Sequence, residues 1–197
     1  MKTFPSSETP DFGPGPSWRD IPPAEKKQSA VALPLFKDGG DTRILCLERA
    51  RGLSRHPGEV GFPGGAREAA DRGPVQTCLR EMYEELGIPD SSVKVMGLLP
   101  RECTFSSDFV IFPVICILET GFRADMIRFD PGEVRIVIDV GLSDLAAAPE
   151  MKWGWYGDRS FMYPSFPVGN GHVIWGASAR ILWRLLRLMR QGLLWPC

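Results

Sequence analysis

A chain of 197 residues, 44% hydrophobic and 24% charged, holds enough material for one domain with a sizeable core and too little for two generous ones. Lys and Arg number 23 against 24 for Asp and Glu; the resulting net charge of −1 gives no electrostatic ground for a nucleic-acid partner, so any attraction for phosphate must be local. Five cysteines, Cys46, Cys78, Cys103, Cys116 and Cys197, are odd in number and scattered, without the pairing or interleaved histidine of a zinc site, and are expected as reduced thiols of a cytoplasmic protein.

In chain order, residues 1–27 carry Pro5, Pro10, Pro14, Pro16, Pro22 and Pro23 among polar residues and are expected as an arm preceding a domain over 28–197. No charged-then-apolar leader opens the sequence. SAVALPLF and RILCLERA then read as two strands reversed by KDGGDT, where Gly39 and Gly40 supply the positive φ of a tight hairpin. Val75, Leu79, Met82 and Leu86 recur at helical spacing, and Gly87 followed by Pro89 ends that segment, so a helix is expected over Val75–Leu86 with those four side chains in the core. VKVMGLL, FVIFPVICIL and the alternating VRIVIDVGL are strand candidates; the second is too short to span a bilayer and contains Pro113, so no membrane partner is expected. Trp153, Trp155 and Tyr156 are open to two readings, stacking on a base or packing within a loop. A second helix is expected over Ala177–Gln191, with Ile181, Leu182, Leu185 and Met189 inward and Arg180, Arg184, Arg187 and Arg190 on a solvated face. The sum is a mixed α/β (α+β) domain without internal repeats.

The first helix contains an electrostatic problem. LREMYEELGIP sets Glu81, Glu84 and Glu85 within little more than one turn, where like charges repel by a few tenths of a kcal/mol per pair. With Leu79, Met82 and Leu86 held to the core, Glu81 and Glu85 are expected to project together from another face, with Glu84 beside them. Grouped oxygen donors suit a hard divalent cation such as Mg2+, or Mn2+, which would relieve the repulsion. Upstream, GEVGFPGGAREAADRGP places Gly64 and Gly65 where backbone can approach a ligand closely, followed by Arg67, Glu68 and Asp71.

Together these stretches resemble the signature of the Nudix hydrolases: Gly, five residues, Glu, seven residues, Arg-Glu, an aliphatic residue, one residue, Glu-Glu, one residue, Gly and an aliphatic residue. Arg80, Glu81, Met82, Glu84, Glu85, Gly87 and Ile88 match its second half. The first half departs from it: the loop from Gly65 to Arg80 is one residue longer, and Arg72 stands where the signature has Glu. That departure is similar to the coenzyme A pyrophosphatase branch, whose FPGG is followed by two spaced acids; FPGGAREAAD has Glu68 and Asp71 in those places. In the stretch preceding FPGG, Arg49, Ala50 and Gly58 match the branch, but Ser54 takes the place of its second Arg, with Arg55 one position on. HVIWGASARIL resembles the Trp-Gly and helix that close such domains, so the likeness runs from about Val31 to Leu186.

The resemblance implies a Nudix-type mixed β-sheet sandwiched between α-helices, and metal-dependent hydrolysis of a nucleoside diphosphate derivative, here coenzyme A or acyl-coenzyme A. Glu81 and Glu85 would be the principal ligands of Mg2+ or Mn2+, Glu84 a further ligand or the base, and Arg80 would orient a glutamate through its bidentate fork. Which of Glu81, Glu84 or Glu133 takes the proton from water stays open. Arg49, Arg51, Arg55, Gly64, Gly65 and Arg67 are the expected substrate-binding residues, and His56 flanks them; His172 is expected as a hydrogen-bonded structural histidine. The expected partner is a small nucleotide, with a homodimer compatible with the chain. The alternatives are a Nudix enzyme of another preference, such as ADP-ribose or a nucleoside triphosphate, and a non-catalytic ligand-binding module, against which the intact glutamates argue.

Overall fold

Strand β1 (Lys27–Asp38) and strand β2 (Asp41–Arg49) form the expected antiparallel hairpin, and Gly39 and Gly40 reverse it at φ of 55° and 89°, the left-handed pair whose twist suits a two-residue turn. The computed structural model describes residues 26–104, 108–145 and 149–192, so nearly all of the proline-rich arm and Cys197 lie outside the described residues. After the hairpin come β3 (Val60–Gly61), β4 (Gly64–Ala66), α1 (Pro74–Leu86), β5 (Val93–Leu98), β6 (Glu102–Cys103), β7 (Phe109–Leu118), β8 (Val134–Gly141) and the single turn α2 (Leu142–Leu145). The chain closes with β9 (Glu150–Tyr156), β10 (Arg159–Pro167), β11 (Val173–Ile174) and α3 (Gly176–Arg190).

The strands hydrogen-bond in the order β5-β7-β1-β2-β3-β11-β10-β9, with β4 added to β1, β6 to β7 and β8 to β2. β1 runs parallel to β7 and β3 parallel to β11, while the other pairings are antiparallel, which makes the sheet mixed. Successive side chains of a strand point to opposite faces. In β2, Ile44 and Cys46 enter one core with Ile181, Leu182 and Leu185 of α3, while Leu45 and Leu47 enter a second core with Val75, Cys78, Met82 and Leu86 of α1. Strand β7 alternates in the same way, Ile115 to the α3 side and Val114 and Cys116 to the α1 side. Both faces are covered, which is why these strands read as nearly continuous apolar runs. The sheet is therefore sandwiched between α1 and α3.

Three expectations need correction. Leu79 is only half-buried at the edge of the α1 core, so its truncation removes less contact than that of the fully buried Met82. The arginine face of α3 is not uniformly solvated: Arg180 Nε donates to Glu102 Oε1 at 2.8 Å and Arg184 Nη2 to Glu102 Oε2 at 3.1 Å, so one helix turn clamps β6. Trp153 and Trp155 do not pack within a loop; they stand on β9, 66% and 74% exposed, in a hairpin with β10 that the sequence reading left unassigned. The side chain of Tyr156 lies outside the described residues. Among the described residues no helix is long and apolar enough to cross a membrane.

Candidate active site

Helix α1 is fixed at both ends by glycine. Gly73 caps its start ahead of Pro74, whose ring fits the first turn, and Gly87 leaves at φ 65° with its N–H on the Tyr83 carbonyl. A Cβ on Gly87 would also come within 2.6 Å of the Arg128 carbonyl oxygen, so the site tolerates no side chain there. Between these stops the helix presents Glu81, Glu84 and Glu85, and the structure treats the three differently.

Glu85 is 1% exposed. Its Oε2 accepts from the Gly64 backbone N–H at 2.9 Å, and its Oε1 accepts from Arg49 Nη1 at 3.1 Å. Arg49 reaches this position from the end of β2, where the pairing with β8 shifts register between Glu48 and Arg49; such an irregularity re-aims a side chain. Burial pushes the Glu85 carboxyl up to about 7, against the two hydrogen bonds, and the nearby Glu81 and Glu133 charges push the same way. The expectation that Glu85 projects from a face away from the core is therefore corrected. It lies seven residues after Cys78 and three after Met82, on the edge of the apolar stripe, a spacing that the sequence contains.

Glu81 rests against the Gly65 backbone so closely that any Cβ on Gly65 would overlap its carboxylate. Burial raises the Glu81 carboxyl above its ordinary value, opposed by Arg80 and reinforced by Glu84 and Glu133. Gly64 is pinned more tightly: at φ 155°, a Cβ would meet the Ala30 carbonyl and come within 2.6 Å of Val31 Cα, both on the neighbouring β1. The two glycines thus have separate reasons, sheet backbone for Gly64 and a carboxylate for Gly65. Glu84 is the outlier, about half-exposed and held by Arg80 Nη1 at 2.8 Å.

Arg80 is the hub. Besides Glu84, its Nη1 lies 3.0 Å from Glu81 Oε1, its Nη2 donates to the Ala66 carbonyl at 3.0 Å and to Asp71 Oδ2 at 3.2 Å, and its Nε donates to Asp71 Oδ1 at 3.3 Å. Asp71 is buried and also accepts from Thr77 Oγ1 and from the Glu68 backbone N–H, each at 2.9 Å. Burial works to raise its carboxyl, but these donors outweigh it and hold the group below the ordinary carboxylate range. The sequence reading noted Asp71 only as a motif position. Its bidentate hold on Arg80 was missed, although a Thr in the first turn of a helix just after an Asp is a signal of such a buried acceptor.

A cavity of about 670 Å³ opens beside this assembly. Arg49, Gly64, Gly65 and Ala66 line its acidic end, Arg55, His56 and Glu59 its rim, and residues of β7, β10 and the start of α3 its far end. His56 stands at φ 53° with Nδ1 2.9 Å from Glu59 Oε2. Of the expected substrate-binding residues, Arg49, Arg55, Gly64 and Gly65 border the cavity. Arg51 and Arg67 do not; both are exposed, and Arg67 Nη1 donates to Gln28 Oε1 at 2.8 Å. Arg49 Nε is buried with no hydrogen-bond partner. His172 stands apart, with Nδ1 3.1 Å from Glu48 Oε2.

The donor set is compatible with a hard cation. The Glu133 charge disfavours the anionic forms of both Glu81 and Glu85, Glu81 is half-buried and Glu85 buried, and a cation between them would relieve that repulsion. Among the described residues no group of three or more His, Cys, Asp or Glu side chains is gathered closely enough to hold a metal ion by itself. The protein would thus supply part of a coordination sphere, the arrangement in which water and phosphate oxygens complete the rest.

The comparisons with known proteins bear on the family and the fold. The family model described as NUDIX domain matches residues 26–153. An uncharacterized Nudix hydrolase NudL of Photorhabdus laumondii is 30% identical over 174 residues, covering 84% of this chain and 89% of that protein. The mouse peroxisomal coenzyme A diphosphatase NUDT7 is 38% identical over 96 residues, covering 48% of this chain and 40% of that protein. The chain spans 57% of the NudL of Pectobacterium atrosepticum, to which it is 38% identical. Among solved structures, the Mycobacterium smegmatis Nudix hydrolase RenU superposes with a TM-score of 0.58 at 16% identity, over 91% of this chain and 94% of that one, a likeness of fold. With the family model over most of the described residues, a relative matched along nearly its whole length and the shared fold in accord, the chain belongs to the Nudix hydrolase family.

Proposed function

We propose that the protein hydrolyses the diphosphate anhydride of a nucleotide derivative with the help of Mg2+ or Mn2+, and that the substrate is coenzyme A or an acyl-coenzyme A, giving adenosine 3',5'-bisphosphate and 4'-phosphopantetheine. The observation that carries the reading is the pair of Glu81, half-buried against Gly65, and Glu85, buried and bonded to Gly64, beside a cavity that Gly64, Gly65 and Arg49 line. The branch is supported by the lengthened loop that brings Asp71 onto Arg80, and by the mouse coenzyme A diphosphatase among the relatives.

Glu81 and Glu85 would hold the divalent ion. When bound, it neutralises the diphosphate oxygens and lowers the pKa of a coordinated water. The chain's own contributions are positional. Gly64 N–H and Arg49 fix the Glu85 carboxylate, Asp71 fixes Arg80, and Arg80 holds Glu81 and Glu84 in one place. Arg49 borders the cavity and is bonded to Glu85 through Nη1; a guanidinium can serve two acceptors, and an anionic oxygen entering the cavity would be the second. Glu84 and Glu133 are the candidates for accepting a proton from water; Glu84 is exposed enough to exchange it with solvent.

A second reading, a Nudix hydrolase preferring ADP-ribose or another diphosphate, is favoured by one observation. Arg51 lies outside the cavity and Ser54 replaces the branch's Arg, which leaves Arg55 as the rim arginine for a 3'-phosphate. Initial rates with Mg2+ on coenzyme A, dephospho-coenzyme A, ADP-ribose and NADH decide between them. A preference for coenzyme A over dephospho-coenzyme A of about tenfold or more in kcat/KM, the scale of one charge-assisted contact, supports the first reading. Equal rates on both with faster ADP-ribose cleavage support the second.

A further inference from the structure

The far end of the cavity differs in kind from the acidic end. Phe109 and Ile111 of β7, Phe161 and Tyr163 of β10 and Trp175 ahead of α3 line it, so that four of these five side chains are aromatic. The Phe161 and Tyr163 rings sit 5.9 Å apart at 44°. Both lie over Gly154 on the paired strand: a Cβ there would come within 3.0 Å of Tyr163 Cε1 and 3.1 Å of Phe161 Cζ. The glycine lets the rings settle on strand backbone on one side while they border the cavity on the other. Arg180, the cation of α3 that borders the cavity, is turned to Glu102 and to the Cys103 carbonyl. Most of this wall, β10 and Trp175 included, lies beyond the 26–153 span that the family model matches.

We infer that this aromatic wall is a base-recognition subsite, in which the planar heteroaromatic base of the nucleotide stacks on Phe161 and Tyr163 while its diphosphate lies toward Arg49. The inference rests on the diphosphate-hydrolase reading for the class of ligand. Aromatic side chains present flat π faces, and a base gains from stacking on them with little dependence on its hydrogen-bonding edge. A flexible acyl chain has no such need of flat rings. The wall therefore selects for a nucleotide over a non-nucleotide diphosphate.

The test compares AMP with ribose 5-phosphate, which share sugar and phosphate and differ by the base, as ligands of the EDTA-treated full-length protein in NMR or calorimetric titrations. AMP is expected to bind about tenfold or more tightly than ribose 5-phosphate. Phe161→Leu and Tyr163→Leu should each erase most of that difference, Phe161→Tyr should keep it, and Trp153→Ser, on the opposite side of β9, should leave it unchanged; melting curves establish that each variant is folded. Equal affinities for the two ligands in the unaltered protein overturn the inference. So does a result in which the leucine variants keep AMP but lose decanoyl-4'-phosphopantetheine, which would make the wall an acyl site. Base-dependent AMP binding without coenzyme A cleavage overturns the proposed substrate alone; coenzyme A cleavage without base dependence overturns this inference alone.

Discussion

The two ends of the cavity are built on opposite principles. At the acidic end three side chains are each tied more than once: Glu85 by a backbone N–H and a guanidinium, Arg80 by Asp71, Glu84 and a carbonyl, Asp71 by three donors. At the aromatic end Phe161 and Tyr163 sit on a two-stranded hairpin whose outer strand β9 is the last in the sheet, with Trp153 and Trp155 mostly exposed. Charge development in a reaction needs preorganised partners, because reorganising them during the step would forfeit the stabilisation. Recognition of a flat apolar group needs area and tolerates adjustment. The difference teaches that the rigid end should fail under small chemical changes that preserve shape, and the hairpin end only when aromatic area is lost.

The sharpest way to break the comparison is Glu85→Gln, which keeps shape and removes charge. Turnover should fall by about a hundredfold or more, whereas thermal stability in EDTA should hold or rise; near-normal rates in a folded variant would remove Glu85 from the machinery. The sign of the stability change follows from linkage. The folded protein holds the Glu85 proton more tightly, to about 7, than the ordinary value of 4.5. Stability supplied by the protonated, buried carboxyl is present below pH 4.5 and is lost as pH rises through 7. Relative to Glu85→Gln, the metal-free protein should therefore lose melting temperature between those two pH values, and parallel curves would show that the carboxyl is not perturbed.

Next in size is a pair of glycine substitutions. Gly64→Ala drives a Cβ into the β1 backbone and should destabilise by roughly 1–3 kcal/mol or more, read by urea denaturation. Gly65→Ala meets the movable end of Glu81 instead, so the fold should survive while activity falls; equal stability losses would contradict the separate roles assigned to the two positions. Asp71→Asn comes third, at about ten- to a hundredfold in activity. It leaves Arg80 without its bidentate acceptor, and raising the Mg2+ concentration should recover part of the loss if the damage passes through ligand orientation. A variant with unchanged kcat and Mg2+ dependence would make Asp71 purely structural. The smallest effect is expected of Trp153→Ser on the outer face of the hairpin, within about 0.5 kcal/mol in stability and without change in KM; a rise in KM would carry the binding surface across β9.

Much of the fold was legible because its signals are local. Gly39 and Gly40 mark the hairpin, the spacing of Val75, Met82 and Leu86 marks α1, and Gly87 marks its end. The β9–β10 hairpin was not legible. Pro164, glycines and tryptophans obscure its alternation, and it is held by pairing to β11 and by rings packed over Gly154, contacts that propensity does not encode. The α3 arginines misled for a related reason: a charged helix face is ordinarily solvated, and Glu102, 78 residues from Arg180, is what captures it.

By itself the sequence determined which chemistry the protein is built around, since the order Gly64, Gly65, Arg80, Glu81, Glu84, Glu85 requires only a helix and a backbone turn to bring oxygen donors beside a close-approaching strand. Tertiary structure alone decided how those donors differ. Glu85 became a buried carboxyl because Arg49 and Gly64, 36 and 21 residues away, converge on it. Glu84 stayed at the surface because no such pair reaches it, and Asp71 became the anchor of Arg80 because burial concentrates three donors on one carboxylate. Composition sets the charges; their environment, and with it their proton affinity and orientation, is set by what the fold brings within three ångströms.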